Sequence, residues 1–189
     1  MLLNDSGVRN LLIEELQAIY GNDPDTRIIN ELGINYGASR VDIAVVNGII
    51  HGYEIKSDFD TLDRLPRQMN YYNNLFQRMT IVTSRKYYQQ ICELVPKWWG
   101  IKTISYDGSR LIEKRKGRKQ KTQDKDSLLS LLWKKEMEAF IDVLGYPKKM
   151  KKLKKHQLLE MYSREADVNT IQAHVYESLK TRENWRPDL

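Results

Sequence analysis

Three charged side chains interrupt the most apolar stretch of this sequence. Arg40-Val-Asp-Ile-Ala-Val-Val-Asn-Gly-Ile-Ile-His-Gly-Tyr-Glu-Ile-Lys56 contains two apolar runs, Val41 to Val46 and Ile49 to Ile55. Asp42 breaks the first run, Glu54 sits inside the second, and Lys56 closes it. Charges in a segment that otherwise reads as buried are expensive without a partner or a metal. Two carboxylates brought within a few ångströms repel one another until a cation comes between them. Carboxylate and carbonyl oxygens suit Mg²⁺ or Mn²⁺. A neighbouring lysine can orient a water and offset charge that develops on a phosphate.

The elements that must bring these groups together are legible nearby. Asn47-Gly48 between β-branched runs predicts a hairpin. Glu54 and Lys56 are two residues apart and share a face of their strand. A strict two-residue turn would set Asp42 opposite Tyr53. A three-residue turn over Asn47-Gly48-Ile49, or a one-residue bulge, sets it opposite Glu54. One of the latter is expected, because only then do the charges converge.

The pattern D-x11-E-x-K across a hairpin resembles the PD-(D/E)XK nuclease superfamily. Gln68-Met-Asn-Tyr-Tyr72 resembles the Q-x3-Y element of its RecB-like members. The runs from Asp60 to Gln68 and from Leu94 to Gly100 are similar to small bacterial and phage proteins assigned to that group. Val41 stands where the name-giving proline would be. The resemblance covers roughly residues 8 to 105. It implies an α/β, restriction-endonuclease-like fold: a mixed sheet flanked by helices on both faces. It implies Asp42, Glu54 and the Ile55 carbonyl as ligands of Mg²⁺ or Mn²⁺, with Glu31 as a further candidate. Lys56 and Gln68 would be catalytic, and Tyr72 and Arg64 would support them from the same helical face.

The full chain has 189 residues, enough for one domain with an appendage. One cysteine, Cys92, excludes an intrachain disulfide and a multi-cysteine zinc finger. His51, His156 and His174 are scattered, which argues against a histidine-built zinc or HNH site. His51 is expected to pack on the strand face opposite the charged cluster. No P-loop or G-x-S-x-G motif is present. No apolar run approaches the roughly 20 residues of a membrane span, and no leader is visible at Met1, so the cytoplasm is the expected compartment.

Residues 1–112 hold 12 Lys and Arg against 13 Asp and Glu, whereas residues 113–189 hold 19 against 12. The excess positive charge belongs to the C-terminal part, which suggests contact with a polyanion. Three regions are expected: a nuclease-like core over 1–112, a solvated basic linker over 113–126, and a helical module over 127–189. Lys114, Arg115, Lys116, Arg118 and Lys119 in the linker, and Lys148, Lys149, Lys151 and Lys152 beyond it, are the candidate nucleic-acid contacts.

In chain order, the periodicity predicts a helix from Gly7 or Val8 to Tyr20 with Asp5 or Ser6 as its cap. A strand over Thr26 to Ile34, the hairpin, and a helix capped by Asp60 follow. Strands at Met79 to Thr83 and Ile101 to Tyr106 flank a helix from Arg85 to Val95. One helix over Leu128 to Leu144 and two shorter ones then form a small bundle. The sequence thus points to metal-dependent hydrolysis of nucleic acid, DNA being the expected substrate. A catalytically silent nucleic-acid-binding module, or a protein-interaction subunit or homodimer in a phage or mobile-element system, is the alternative.

Overall fold

The computed structural model describes residues 3–121 and 123–183. Helix α1 (Asp5–Tyr20) leads into β1 (Arg27–Ile34), β2 (Ser39–Val46) and β3 (Ile50–Lys56). Helix α2 (Leu65–Leu75), β4 (Arg78–Thr83), α3 (Tyr88–Leu94) and β5 (Gly100–Ile104) alternate after them. Among the described residues six strands form one sheet in sequence order, ending with β6 (Leu111–Arg115). The hairpins β1–β2, β2–β3 and β5–β6 are antiparallel. Strands β3, β4 and β5 run parallel, because α2 and α3 return the chain to the same end of the sheet before each next strand. The mixed α/β sheet expected from the sequence is therefore present.

Both faces of the sheet are covered, as the unbroken apolar runs require. On one face, Val8, Leu12 and Leu16 of α1 pack on Ile43, Val45, Tyr53 and Ile55. On the other, Ala44, Val46, Ile50 and Ile81 meet Leu65, Tyr72, Leu75 and Phe76. Every residue of β3 is buried. Gly52 is needed there, since a Cβ would fall within about 3.0 Å of the Phe76 ring.

The C-terminal helices are α4 (Lys125–Leu129), α5 (Lys134–Val143), α6 (Lys155–Glu165) and α7 (Val168–Thr181). Their buried residues, including Leu128, Leu132, Phe140, Tyr162, Ile171 and Leu179, continue the second core without a break. Among the described residues no helix is long and apolar enough to cross a membrane.

Several local expectations are corrected. Asn4, not Asp5 or Ser6, caps α1 by accepting from the Gly7 N–H at 3.0 Å, and Asp5 turns to Arg9 instead. Asp60 does not cap α2. Its carboxylate accepts from the N–H and hydroxyl of Ser57 and closes the turn after β3, so α2 begins only where Pro66 fits its first turn. The helix expected over Leu128 to Leu144 is two helices. Leu128, Leu129, Leu131 and Leu132 are all buried, but α4 ends at Leu129 and α5 begins only at Lys134. The chain breaks there, and Glu136 caps the Trp133 N–H to start α5.

The stretch 113–126 is not a solvated linker. It begins inside β6, which covers the otherwise bare edge of β5. Beyond it, the N–H groups of Arg118, Gln120 and Asp124 donate to the carbonyls of Trp98, Gln77 and Asn74. These backbone bonds leave no trace in composition. Because one core spans the boundary at residue 112, a chain truncated there should lose its cooperative melt in calorimetry.

His51 lies on the α1 face, as expected. Its ring is buried between Thr80 Oγ1 at 2.9 Å and the Tyr53 hydroxyl at 3.0 Å. Burial, with Arg78 and Lys102 nearby, pushes its pKa down to about 3. The unfolded chain takes up a proton below the usual value near 6.5 that the folded chain refuses. Stability from this group is therefore lost as pH falls from about 6.5 toward 3, by up to about 2 kcal/mol at pH 5. Denaturant titrations of His51→Gln against the parent should show a shallower loss of stability between pH 7 and pH 5, in that window and by about that amount.

Candidate active site

The β2–β3 turn decides which charges meet. Asn47, Gly48 and Ile49 form a three-residue connection, with the Asn47 N–H on the Ile49 carbonyl and Gly48 at φ 59°. The left-handed conformation there suits glycine. Val46 pairs with Ile50, Val45 with His51, Ala44 with Gly52 and Ile43 with Tyr53. One further step in this register sets Asp42 opposite Glu54. On the other side, the pairs Asn30–Ile43 and Leu32–Val41 bracket Glu31 and Asp42. Three acids thus lie in a row across β1, β2 and β3. Glu31 adopts φ 57° inside its strand, a strained position for a non-glycine residue, costing on the order of 1–3 kcal/mol.

Glu54 and Lys56 are 2% and 5% exposed, respectively. Lys56 Nζ donates to Glu54 Oε1 at 2.6 Å. From α2, Gln68 Nε2 donates to the same oxygen at 2.9 Å, and the Tyr72 hydroxyl lies 2.7 Å from Oε2. That hydroxyl also lies 2.7 Å from the Arg40 carbonyl. The Q-x3-Y spacing puts both groups one helical turn apart, above one carboxylate. Burial, followed by the Glu54 charge, holds the Tyr72 phenol well above its usual pKa, so it remains a donor.

Asp42 is held differently. Its Oδ2 accepts from the Ile55 N–H at 2.7 Å, and its Oδ1 from Arg9 at 2.9 Å. Arg9 also donates to Glu31 Oε1 at 3.0 Å, and Arg40 pairs with Glu31 Oε2 at 2.5 Å. Burial, and then the Glu54 charge, raise the Asp42 pKa to about 7, against the pull of the Ile55 N–H and Arg9. The site thus remains short of positive charge despite its arginine.

That deficit matches the donor set. The N–H and C=O of one strand residue face the same neighbouring strand. The Ile55 carbonyl is therefore directed to the side on which Asp42 stands. Two carboxylates and a carbonyl suit a hard divalent cation that keeps several waters. Among the described residues no group of three or more His, Cys, Asp or Glu side chains is placed to hold a metal. Glu31 is engaged by two arginines and is not brought to Glu54.

Asp42, Glu54, Lys56, Gln68 and Tyr72 are brought together as expected. Arg64 is not. It stands exposed as the N-cap of α2, where its carbonyl accepts from the Gln68 N–H. Arg9 was missed. The sequence offers only its i,i+4 spacing from Asp5, and nothing local reveals its reach to a strand 33 residues on.

An acid whose folded pKa is raised favours the fold at low pH, and that favour is lost as pH climbs from about 4 through 7. In metal-free buffer at pH 8, Asp42→Asn should therefore be more stable than the parent, by on the order of 1–3 kcal/mol. At pH 5 the gap should shrink. Paired melts at the two pH values check this; lower stability of the variant at both would refute it.

A profile of the protein family described as bacteriophage P4 protein cII matches residues 2–187. The Protein cII of Enterobacteria phage P4 is 30% identical over 183 residues, which span 96% of this chain and 68% of that protein. A solved structure of a protein of unknown function from Silicibacter pomeroyi aligns with 17% identity and a TM-score of 0.45. The alignment covers 61% of this chain and 72% of that one, a likeness too loose to carry function across.

Proposed function

The chain belongs to the bacteriophage P4 protein cII family, and we propose that it is a metal-dependent nuclease. It hydrolyses phosphodiester bonds of nucleic acid, with DNA as the expected substrate. The observation that carries this reading is the cluster of Asp42, Glu54 and Lys56: the hairpin turn sets Asp42 opposite Glu54, Lys56 bonds Glu54, and Gln68 and Tyr72 of α2 hold Glu54. Its resemblance to the D-x11-E-x-K and Q-x3-Y pattern of the PD-(D/E)XK superfamily points the same way.

Asp42, Glu54 and the Ile55 carbonyl would hold Mg²⁺ or Mn²⁺. When bound, the cation supplies Lewis-acid polarisation of the phosphate and lowers the pKa of water. The protein's own groups do the rest. Lys56 Nζ, 2.6 Å from Glu54, holds the attacking water in line and faces charge developing on the phosphate. Gln68 bridges Glu54 and Lys56 and keeps the ammonium aimed. Tyr72 fixes the second Glu54 oxygen, so that carboxylate cannot swing toward solvent. By resemblance, the products carry 5′-phosphates.

A second reading has one observation in its favour. The Arg9 guanidinium already supplies positive charge to Asp42 and Glu31, as it would in a silent nucleic-acid-binding descendant. Metal titration by calorimetry separates the two. The nuclease binds Mg²⁺ or Mn²⁺ through Asp42, and the silent module does not.

Asp42→Asn, Glu54→Gln and Lys56→Gln should each lower cleavage of a plasmid or oligonucleotide by about 10³-fold or more, with circular dichroism unchanged. Gln68→Ala should lower turnover more than binding. EDTA should abolish cleavage, and Ca²⁺ should support binding without turnover, because its looser shell positions water poorly. Full activity in any one of the three charge variants, or in a metal-free preparation, defeats the assignment.

A further inference from the structure

Composition gives no reason to prefer either lysine-rich segment as a nucleic-acid contact, but the structure separates them. In the first, Arg115 donates to the carbonyls of Trp99 and Pro96, and Arg118 donates to that of Lys97. These guanidiniums hold the chain against the sheet edge. Lys119 and Lys121 line a cleft of about 470 Å³ that includes Gly48. Gly48 is six residues along the chain from Glu54, or roughly 20 Å of extended strand. Lys119 and Lys121 therefore lie at the far end of the hairpin from Glu54, and Lys114 and Lys116 flank Arg115 at β6, three strands from β3 and at the sheet edge opposite β1.

The second segment is built differently. Lys148–Lys152 form a tight 3-10 turn. Lys134 Nζ donates to the carbonyls of Lys151 and Leu153 and fixes the turn from α5. Asp142 neutralises Lys151. Lys148, Lys149, Lys152 and Lys154 remain exposed, and among the described residues none of the four is in an ion pair. Next along the chain, Lys155 Nζ stands 4.8 Å from the centre of the Tyr36 ring. Tyr36 lies in the β1–β2 turn and is 61% exposed. Four residues later, the Arg40 carbonyl meets the Tyr72 hydroxyl that also binds Glu54. Four residues span at most about 14 Å. The lysine turn therefore joins the charged cluster by a short path of fixed contacts.

We propose that residues 148–155 form the phosphate-backbone track for the substrate. Lys148, Lys149, Lys152 and Lys154 grip successive phosphates, and the strand passes over Tyr36 and the β1–β2 turn to Asp42, Glu54 and Lys56. The 114–121 segment takes no part. This rests on the nucleic-acid reading above, and its test is kept independent of cleavage.

The experiment measures binding of full-length protein to a fluorescent duplex oligonucleotide in EDTA, by anisotropy over a series of salt concentrations. Each lysine–phosphate contact contributes about 0.9 to the slope of log affinity against log salt. A variant carrying Lys148→Gln, Lys149→Gln, Lys152→Gln and Lys154→Gln should bind at least tenfold more weakly. Its slope should be shallower by about 3.6. A variant carrying Lys114→Gln, Lys116→Gln, Lys119→Gln and Lys121→Gln should match the parent in both. All eight positions are exposed, and melting curves verify that both variants fold. The proposal is overturned if the second variant loses the affinity, if both lose it equally, or if neither does. Asp42→Asn run alongside isolates the catalytic reading. If the parent binds through the lysine turn but never cleaves with Mg²⁺ or Mn²⁺, the track stands and the nuclease falls. If the parent cleaves and the first variant binds unchanged, the nuclease stands and the track falls.

Discussion

A three-residue turn at one end of the β2–β3 hairpin decides which side chains meet at the other. Strand side chains alternate with a period of two, so a slip of one residue would send Glu54 and Lys56 to the opposite face from Asp42. Gly48, at φ 59°, makes that turn accessible. The apolar residues of both strands then lock it. Ala44, Val46 and Ile50 face one core, and Ile43, Val45, Tyr53 and Ile55 face the other. A slipped register would exchange the two sets against different partners. The site's geometry is thus set by hydrophobic packing along the whole hairpin.

Holding an ammonium and a carboxylate in a strand with no exposed residue is a demanding arrangement. A buried ion pair is at best weakly stabilising, since desolvation offsets most of the attraction. This one is tolerated because the remaining lone pairs of Glu54 have donors in Gln68 and Tyr72. Asp42 is less well served, and its raised pKa records this. Arg9 and Arg40 spread positive charge along the row from Glu31 to Asp42 without cancelling it at the centre.

The C-terminal helices belong to this arrangement. They cover the face of the sheet that α2 leaves open, and their apolar residues join Tyr72 and Trp99 in one core. Lys155 over Tyr36 ties them to the turn between β1 and β2. Tyr72, whose hydroxyl bridges Arg40 and Glu54, lies between the helices and the charged cluster. Tyr72 therefore belongs both to the shared core and to the charged cluster.

Periodicity and turn chemistry act over a few residues, and what they govern was legible in the sequence. Asn47-Gly48 specified the hairpin, near-continuous apolar runs specified two covered faces, and the i,i+4 spacing of Gln68 and Tyr72 put both on one side of α2. The convergence of Asp42, Glu54 and Lys56 followed from those local rules together with the cost of leaving charges buried and unmatched. What depends on contacts distant in sequence was hidden. Arg9 reaches Asp42 because α1 packs across β3, a fact that no local pattern encodes. β6 exists because β5 needs an edge partner, although its own Leu111–Arg115 reads as polar and charged. The two lysine-rich segments are alike in composition. Only the fold engages the arginines of one on backbone carbonyls and sets the other beside Tyr36. A charge's type is written in the sequence, but its partner is decided by which backbone and side chains the folded core brings within reach.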